Sequence, residues 1–237
     1  MNTAEISRPR AALPTLSFHL VMAVIIAASV FYGFSRTIGA SLIHPAQPAP
    51  TLVYVHAGVF FLWPVLLVIQ SALVNSRSLQ LHRTLGWWFA AVGVAVPVIG
   101  AATAILSAQA GVARGNPAAL PGLLIPLFNM LSFAILFGLA VLWREKADRH
   151  PRLMLLATCT LTSAAFGRFP AFLVPPGYFF VAVDVLLAAA VAHDLVTSRR
   201  VHPVNLVAVP VLVAGQFIAW HGAGSPLWIS IAQALAG

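Results

Sequence analysis

The sequence predicts an all-α integral membrane protein whose domain is a bundle of seven transmembrane helices. Of its 237 residues, 60% are hydrophobic and only 8% are charged, and the mean hydropathy is +0.94. This composition is typical of a polytopic membrane protein and excludes a soluble domain. Seven apolar runs approach the ~20 residues that a helix needs to cross a hydrocarbon core. The predicted spans are Leu16–Phe34, Leu52–Val74, Gly86–Ser107, Gly122–Trp143, Leu153–Val174, Tyr178–Val196 and Val204–Trp220.

The basic residues predict the orientation of the bundle, because Lys and Arg concentrate in cytoplasmic loops. Ten of the 13 basic residues precede span 1 or follow spans 2, 4 and 6, whereas Arg36 and Arg114 lie at the opposite end. The ten are Arg8, Arg10, Arg77, Arg83, Arg144, Lys146, Arg149, Arg152, Arg199 and Arg200. We therefore expect residues 1–15 to form a cytoplasmic amino-terminal segment and residues 16–237 a single seven-helix domain with its carboxyl terminus outside.

Residue usage excludes several familiar classes of protein. Cys159 is the only cysteine, so the chain has no intrachain disulfide. Lys146 is the only lysine and falls in a loop, so no span offers the lysine that a retinal Schiff base requires. The net charge is +8, and the basic residues are spread over the connections between spans rather than clustered in one patch. The expected partner is therefore the lipid bilayer and not nucleic acid.

The second span predicts which of its faces points into the bundle. His56, Phe60, Trp63, Leu67 and Gln70 recur at helical spacing, which places His56 and Gln70 on one stripe about 21 Å apart. Polar side chains in a membrane helix turn away from lipid. We therefore expect this stripe to face the other helices.

The fifth and sixth spans predict an ion pair inside the membrane. Arg168 lies in the outer third of span 5, and an unpaired arginine there is costly. The Pro175-Pro176-Gly177 turn predicts an antiparallel hairpin, in which Arg168 and Asp184 each lie eight residues from Pro176. Equal spacing predicts an Arg168–Asp184 ion pair at the outer level, about 27 Å along the helix from His150.

Eight histidines predict two polar levels in the bundle. His82 and His150 are each placed just before a span. The cytoplasmic level contains His19, Gln70, His82, His150, His193 and His202. The outer level contains His44, His56, Asn129, Arg168 and Asp184, with His221 as a further candidate. Neutral imidazole binds haem iron and other metals, and it relays protons near neutral pH. His82, His150 and His56 are therefore the candidate metal ligands. The alternatives are interfacial placement for the first two and a purely structural role for His56.

Three segments resemble a widespread, uncharacterised family of bacterial multi-pass membrane proteins. They read HAGVFFLWPVLLVIQ from His56, LHRTLGWW around His82, and RHPRLMLLATCTLTSAAFGR from Arg149 to Arg168. Members of that family show a histidine opening one helix, a His-Arg-x-Leu-Gly segment opening the next, and a His-Arg-x-x-Met segment leading to a helix with an embedded arginine. The resemblance extends from about Val53 to Arg168, with Pro151 where arginine is usual, and implies a bacterial inner membrane without assigning an activity.

The segment around His82 also resembles the Leu-His-Ser-Trp-x-Gly segment of four-helix transmembrane cytochromes b, in which the histidine binds haem. This likeness implies that His82 and His150 are the axial ligands of a haem b and that His56 is a second ligand or proton relay. Arg168 with Asp184 would then clamp a haem propionate or a quinone. We expect a redox protein that passes electrons or protons.

The alternative is a transporter or channel for a small solute or metal ion without a bound cofactor. Its binding chamber would contain His56, Asn129, Arg168 and Asp184. A third interpretation is an assembly subunit in which the polar pairs only fix helix register.

Overall fold

The computed structural model describes residues 16–45 and 48–236, and every regular element within these residues is helical. The helices are α1 (Phe18–Ser35), α2 (Thr51–Asn75), α3 (Leu79–Ala113), α4 (Ala119–Gly122), α5 (Leu124–Leu142), α6 (His150–Leu161), α7 (Ser163–Phe166), α8 (Phe179–Ser198), α9 (Pro203–Gly222) and α10 (Pro226–Ala236). A π-helical turn at Gly39–Ile43 follows α1. The predicted cytoplasmic segment at residues 1–15 lies outside the described residues.

Six helical segments of the described chain are long and apolar enough to cross a membrane. They are Phe18–Ser35, Thr51–Asn75, Leu79–Ala113, Ala119–Leu142, Phe179–Ser198 and Pro203–Gly222. The predicted class, an all-α multi-pass membrane protein, is confirmed at this level.

The remaining predicted span corresponds to α6 and α7, which together are shorter than the other spans. They follow each other with a break at Thr162, and residues 150–166 cover about 25 Å. Most of their residues are buried by neighbouring helices. α6 packs against α1, α5, α8 and α9, and a helix enclosed by protein needs no long apolar surface for lipid. The count of seven spans stays a prediction.

The connection between α7 and α8 is longer than the sequence predicts. The helix ends at Phe166 and not at Val174, because Gly167 is followed by Pro170, which cannot continue a helical hydrogen-bond ladder. The chain then turns at Gly177, whose φ of +88° suits glycine. An irregular connection over residues 167–178 therefore replaces a symmetric hairpin.

Two contacts define the ends of the bundle. At the His150 end, the Ser17 backbone N–H donates to Asn75 Oδ1 at 2.8 Å and joins the start of α1 to the end of α2. At the Arg168 end, Arg168 Nε donates to Thr37 Oγ1 at 3.2 Å and joins the chain after α7 to the chain after α1. By the charge rule, the His150 end is the predicted cytoplasmic end.

An aromatic cluster fills the middle of the bundle. Trp63 packs edge-on against Phe133 and Phe137, with ring centroids 5.2 and 5.6 Å apart. Gly93 of α3 lies against the Phe137 ring, where a Cβ atom has no room. The small residue therefore lets α3 approach α5 closely.

Two segments outside the predicted spans are helical. α3 begins at Leu79 rather than Gly86, so His82 lies in its first turn and not in a loop. The residues after Gly224 form α10, whose Ala232 packs near Ala108 and Leu123. Both segments extend the bundle beyond the predicted spans.

Candidate functional site

A cavity of about 400 Å³ lies among α1 to α7 and reaches the Arg168 end of the bundle. Its size falls within the range of small-molecule sites. Arg114, Asn116 and Arg168 line it and are exposed, so it opens to the surface at this end. Its inner end is bounded by Trp63 and Thr158.

His56 of α2 lines this cavity, as the stripe on the second span predicts. Its ring stacks on Phe60 at 4.0 Å between centroids, which fixes the orientation of the imidazole. The Nδ1 atom is buried and has no hydrogen-bond partner within the described chain. Because a buried polar atom without a partner is costly, His56 is a candidate contact for a bound molecule.

Three further polar side chains line the same cavity. Asn129 Nδ2 donates to Ser163 Oγ at 2.7 Å, which links α5 to α7. Thr103 Oγ1 is buried without a partner among the described residues. At the inner end, Trp63 Nε1 donates to Thr158 Oγ1 at 3.2 Å. His56, Asn129 and Arg168, three residues of the predicted outer level, therefore line one cavity.

The predicted Arg168–Asp184 ion pair is wrong. Arg168 lies two residues beyond α7 and is exposed, whereas Asp184 is the sixth residue of α8, about 8 Å inward along that helix. Counting residues from Pro176 failed because the connection is irregular, so equal counts give unequal depths. The salt bridges of the described residues do not include this pair.

The side chains of Arg168 and Asp184 instead lie in different surroundings. The guanidinium lies over the Phe34 ring at 4.3 Å and donates from Nη1 to the Ala164 carbonyl at 2.5 Å. Asp184 Oδ1 is buried without a partner in the described part of the chain. Asp184 does not line the cavity.

At the His150 end, the structure brings His82 and His150 together. Their ring centroids are 6.3 Å apart and the ring planes are 78° apart. The Ala140 carbonyl lies 2.8 Å from His150 Nδ1, which assigns the proton to Nδ1 and leaves the Nε2 lone pair available. His82 Nδ1 and both polar side-chain atoms of Gln70 are buried without partners among the described residues.

This spacing is compatible with one metal between two imidazoles. Metal–nitrogen bonds of about 2.0–2.1 Å put the ring centroids roughly 6 Å apart. Within residues 16–45 and 48–236, however, His, Cys, Asp and Glu form no group of three or more that could hold a metal ion. His56 lies at the other end, so the three predicted ligands do not converge.

The sequence reasoning missed the buried ion pair at the His150 end. Arg152 of α6 bonds Asp194 of α8 through Nε at 3.1 Å and Nη2 at 2.6 Å. Asp194 also accepts from the His202 backbone N–H at 2.9 Å and from Asn205 Nδ2 at 2.8 Å. The carboxylate is only 1% exposed. Four donors therefore join α6, α8 and the start of α9.

Asp148 extends this network to the surface. The Val204 backbone N–H donates to His202 Nδ1 at 3.2 Å, so the proton of neutral His202 lies on Nε2 and points to Asp148 Oδ2, also at 3.2 Å. This hydrogen bond lowers the pKa of Asp148. The carboxylate form is thus favoured, and the contact is lost only as the pH falls through that lowered pKa.

One sequence signal could have located the buried pair. Asp194 is an acid on the apolar sixth span, and Arg152 lies beside His150 at the matching end of span 5. The two residues lie at the same predicted end of neighbouring spans, so the sequence is compatible with an Arg152–Asp194 pair.

Comparisons with known proteins give no relative from which a function can be transferred: no protein-family model, no curated protein and no solved structure matches this chain.

Proposed function

We propose that this chain is a seven-span protein of a bacterial inner membrane that binds a small solute in the cavity at its Arg168 end and carries it across. The charge rule puts that end outside. The predicted carrier chamber contains His56, Asn129 and Arg168, without Asp184.

The cavity with its unpartnered polar atoms is the observation that carries the proposal. His56 Nδ1 and Thr103 Oγ1 are buried beside about 400 Å³ of space and have no partner in the described chain. Such atoms favour a polar ligand or water in the cavity, since desolvation without a hydrogen bond is costly.

The sequence of polar and aromatic residues along α2 supports movement rather than binding alone. Trp63 closes the inner end of the cavity, and Gln70 lies about 10 Å further along the same face. Gln70 belongs to the unpartnered polar region that includes His82. Two polar regions separated by one aromatic layer suit a carrier that opens alternately at its two ends.

A thermal-shift screen tests the proposal, followed by uptake into proteoliposomes. The purified protein is screened against small organic anions, cations and neutral solutes, and solutes that stabilise it are offered to vesicles. At least one solute should stabilise the wild type and enter vesicles, and His56→Ala should weaken both effects. The control is His221→Ala, an exposed histidine outside the cavity. Failure of every solute to stabilise the wild type would refute solute binding.

A second candidate is a haem b protein that passes electrons or protons, favoured by the spacing of His82 and His150. In this case the two imidazoles would hold the iron, which would supply the one-electron chemistry, and the Ala140 carbonyl orients His150. The proposed clamp by Arg168 and Asp184 does not fit, because Arg168 lies at the opposite end and the pair does not form.

Absorption spectroscopy separates the two candidates. A haem protein expressed with haem supplied should show a Soret band that is lost in His82→Ala and His150→Ala but kept in His221→Ala. A colourless wild type would rule this candidate out while leaving the solute-binding proposal intact.

A further inference from the structure

The charges around the cavity all have one sign. Arg114 and Arg168 line it, and its described lining contains no Asp or Glu. A cleft with one sign of charge and apolar walls concentrates ions of the opposite sign. The cavity therefore favours an anion over a cation.

The guanidinium of Arg168 has a fixed orientation and free hydrogen-bond donors. The Phe34 ring supports one face of its guanidinium, and Thr37 and the Ala164 carbonyl each accept one N–H. A guanidinium has five N–H donors, so three remain. No carboxylate of the described residues pairs with it. An oriented guanidinium with spare donors suits bidentate binding of a carboxylate.

His56 supplies a second polar contact on the same cavity. Its ring is fixed by stacking on Phe60, and its Nδ1 is unpartnered among the described residues. Neutral imidazole can donate one hydrogen bond, so His56 adds a donor without adding a fixed charge.

The inner part of the cavity is apolar. Phe60, Trp63 and Met130 line it together with Leu123, and Gly100 lies against Phe60 and Met130 without room for a side chain. These surfaces offer a solute burial of hydrocarbon and few hydrogen bonds. A small inorganic anion would leave this part unused.

We infer that the solute of this cavity is an amphipathic organic monoanion. Its carboxylate or similar headgroup binds Arg168 and His56, and its aliphatic or aryl part packs on Phe60, Trp63 and Met130. The inference rests on the proposed function and narrows it to a class of solute. A free organic acid and the anionic end of a lipid share this chemistry.

A matched series of eight-carbon probes tests the class of solute. Octanoate, octanol and octylamine are titrated into the purified protein in nanodiscs of neutral phosphatidylcholine, and binding is followed by calorimetry. Octanoate should bind about ten- to a hundredfold more tightly than octanol, as expected for charge-assisted hydrogen bonds, and octylamine should bind more weakly still. Equal binding of octanoate and octanol would overturn the inference while leaving solute binding in place.

Variants assign the headgroup site. Arg168→Gln should weaken octanoate about ten- to a hundredfold with little change for octanol, and Arg168→Lys should retain part of the preference. Arg36→Gln is the control, because Arg36 is exposed near the same end and does not line the cavity. The octanol titration shows whether each variant still forms the cavity. An Arg168→Gln protein that keeps the full preference for octanoate would overturn the assignment.

Nanodiscs that contain phosphatidylglycerol separate the two sources of the anion. If a free acid is the solute, octanoate binding should be nearly the same in neutral and anionic nanodiscs. Competition by phosphatidylglycerol that disappears in Arg168→Gln would identify a lipid headgroup as the occupant, and would still support the amphipathic anion.

Discussion

Asp194→Asn should destabilise the protein more than any other single exchange of a carboxylate for its amide. The variant keeps the size of the side chain but removes the charge that Arg152 requires. It also places an amide where the carboxylate accepts from the His202 backbone N–H and Asn205. The exchange therefore affects α6, α8 and α9 together.

The magnitude follows from burial. Removing one partner of a buried ion pair costs about 3–5 kcal/mol, because the other charge is left uncompensated. Asp194 is 1% exposed but the Arg152 side chain is 19% exposed, so water solvates part of the remaining charge. We expect the lower end, about 3 kcal/mol, which corresponds to a decrease in unfolding temperature of roughly 6–12 °C for a chain of this length.

Thermal unfolding in detergent, followed by circular dichroism, measures this decrease. Asp148→Asn is the control, because Asp148 belongs to the same network but is exposed, and it should change the unfolding temperature far less. Replacing both partners, as Arg152→Met with Asp194→Leu, should recover much of the loss, since no charge is left buried. Similar unfolding temperatures for Asp194→Asn and Asp148→Asn would refute the reasoning.

Two further predictions concern a close contact between α1 and α7 and the role of Trp63 in the cavity. Gly33→Ala should destabilise the bundle by about 1–3 kcal/mol, because the new Cβ would lie within 2.9 Å of the Ala165 carbonyl carbon and force α1 away from α7. Gly58→Ala is the control, because a Cβ at Gly58 meets open space and should not destabilise the bundle. Equal unfolding midpoints for the two variants would contradict the close approach of α1 and α7. Trp63→Phe should abolish most of the change in tryptophan fluorescence on octanoate binding, because Trp63 is the tryptophan in the described lining of the cavity. An unchanged fluorescence response would show that octanoate binds elsewhere. The same variant loses the hydrogen bond to Thr158, so we expect a destabilisation of about 1 kcal/mol in the same samples.

The second span shows that helical periodicity can predict which face of a helix points into the bundle. The stripe that starts at His56 was predicted to face the bundle, and His56, Phe60 and Trp63 all line the cavity. The prediction held because a helix has a fixed period, and burial in a membrane protein selects one face. Periodicity did not indicate that the stripe borders an open space, because a cavity depends on which side chains the other helices place opposite it.

The pairing of charges marks the limit of sequence reasoning. Equal spacing from the turn predicts that Arg168 pairs with Asp184, but the helix ends at Phe166 and the two side chains do not lie at equal depth. The pair that forms, Arg152 with Asp194, is separated by 42 residues and depends on how α6 packs against α8. His82 and His150 were correctly placed at one level, yet their contact depends on α3 beginning earlier than predicted.

The apolar segments of the sequence are sufficient to predict a helical multi-pass membrane protein, because a segment in lipid must satisfy its backbone hydrogen bonds internally and a helix does so within one segment. The sequence also determined which residues carry the polar chemistry, since such residues are few in so apolar a chain. Which polar residues come into contact depends on how the helices pack. In the folded chain Arg168 contacts Phe34 and Thr37, and Arg152 pairs with Asp194. A cavity lies at one end of the bundle. Contacts between helices depend on where each helix begins and ends, because a shift of a few residues moves a side chain by a full turn or more.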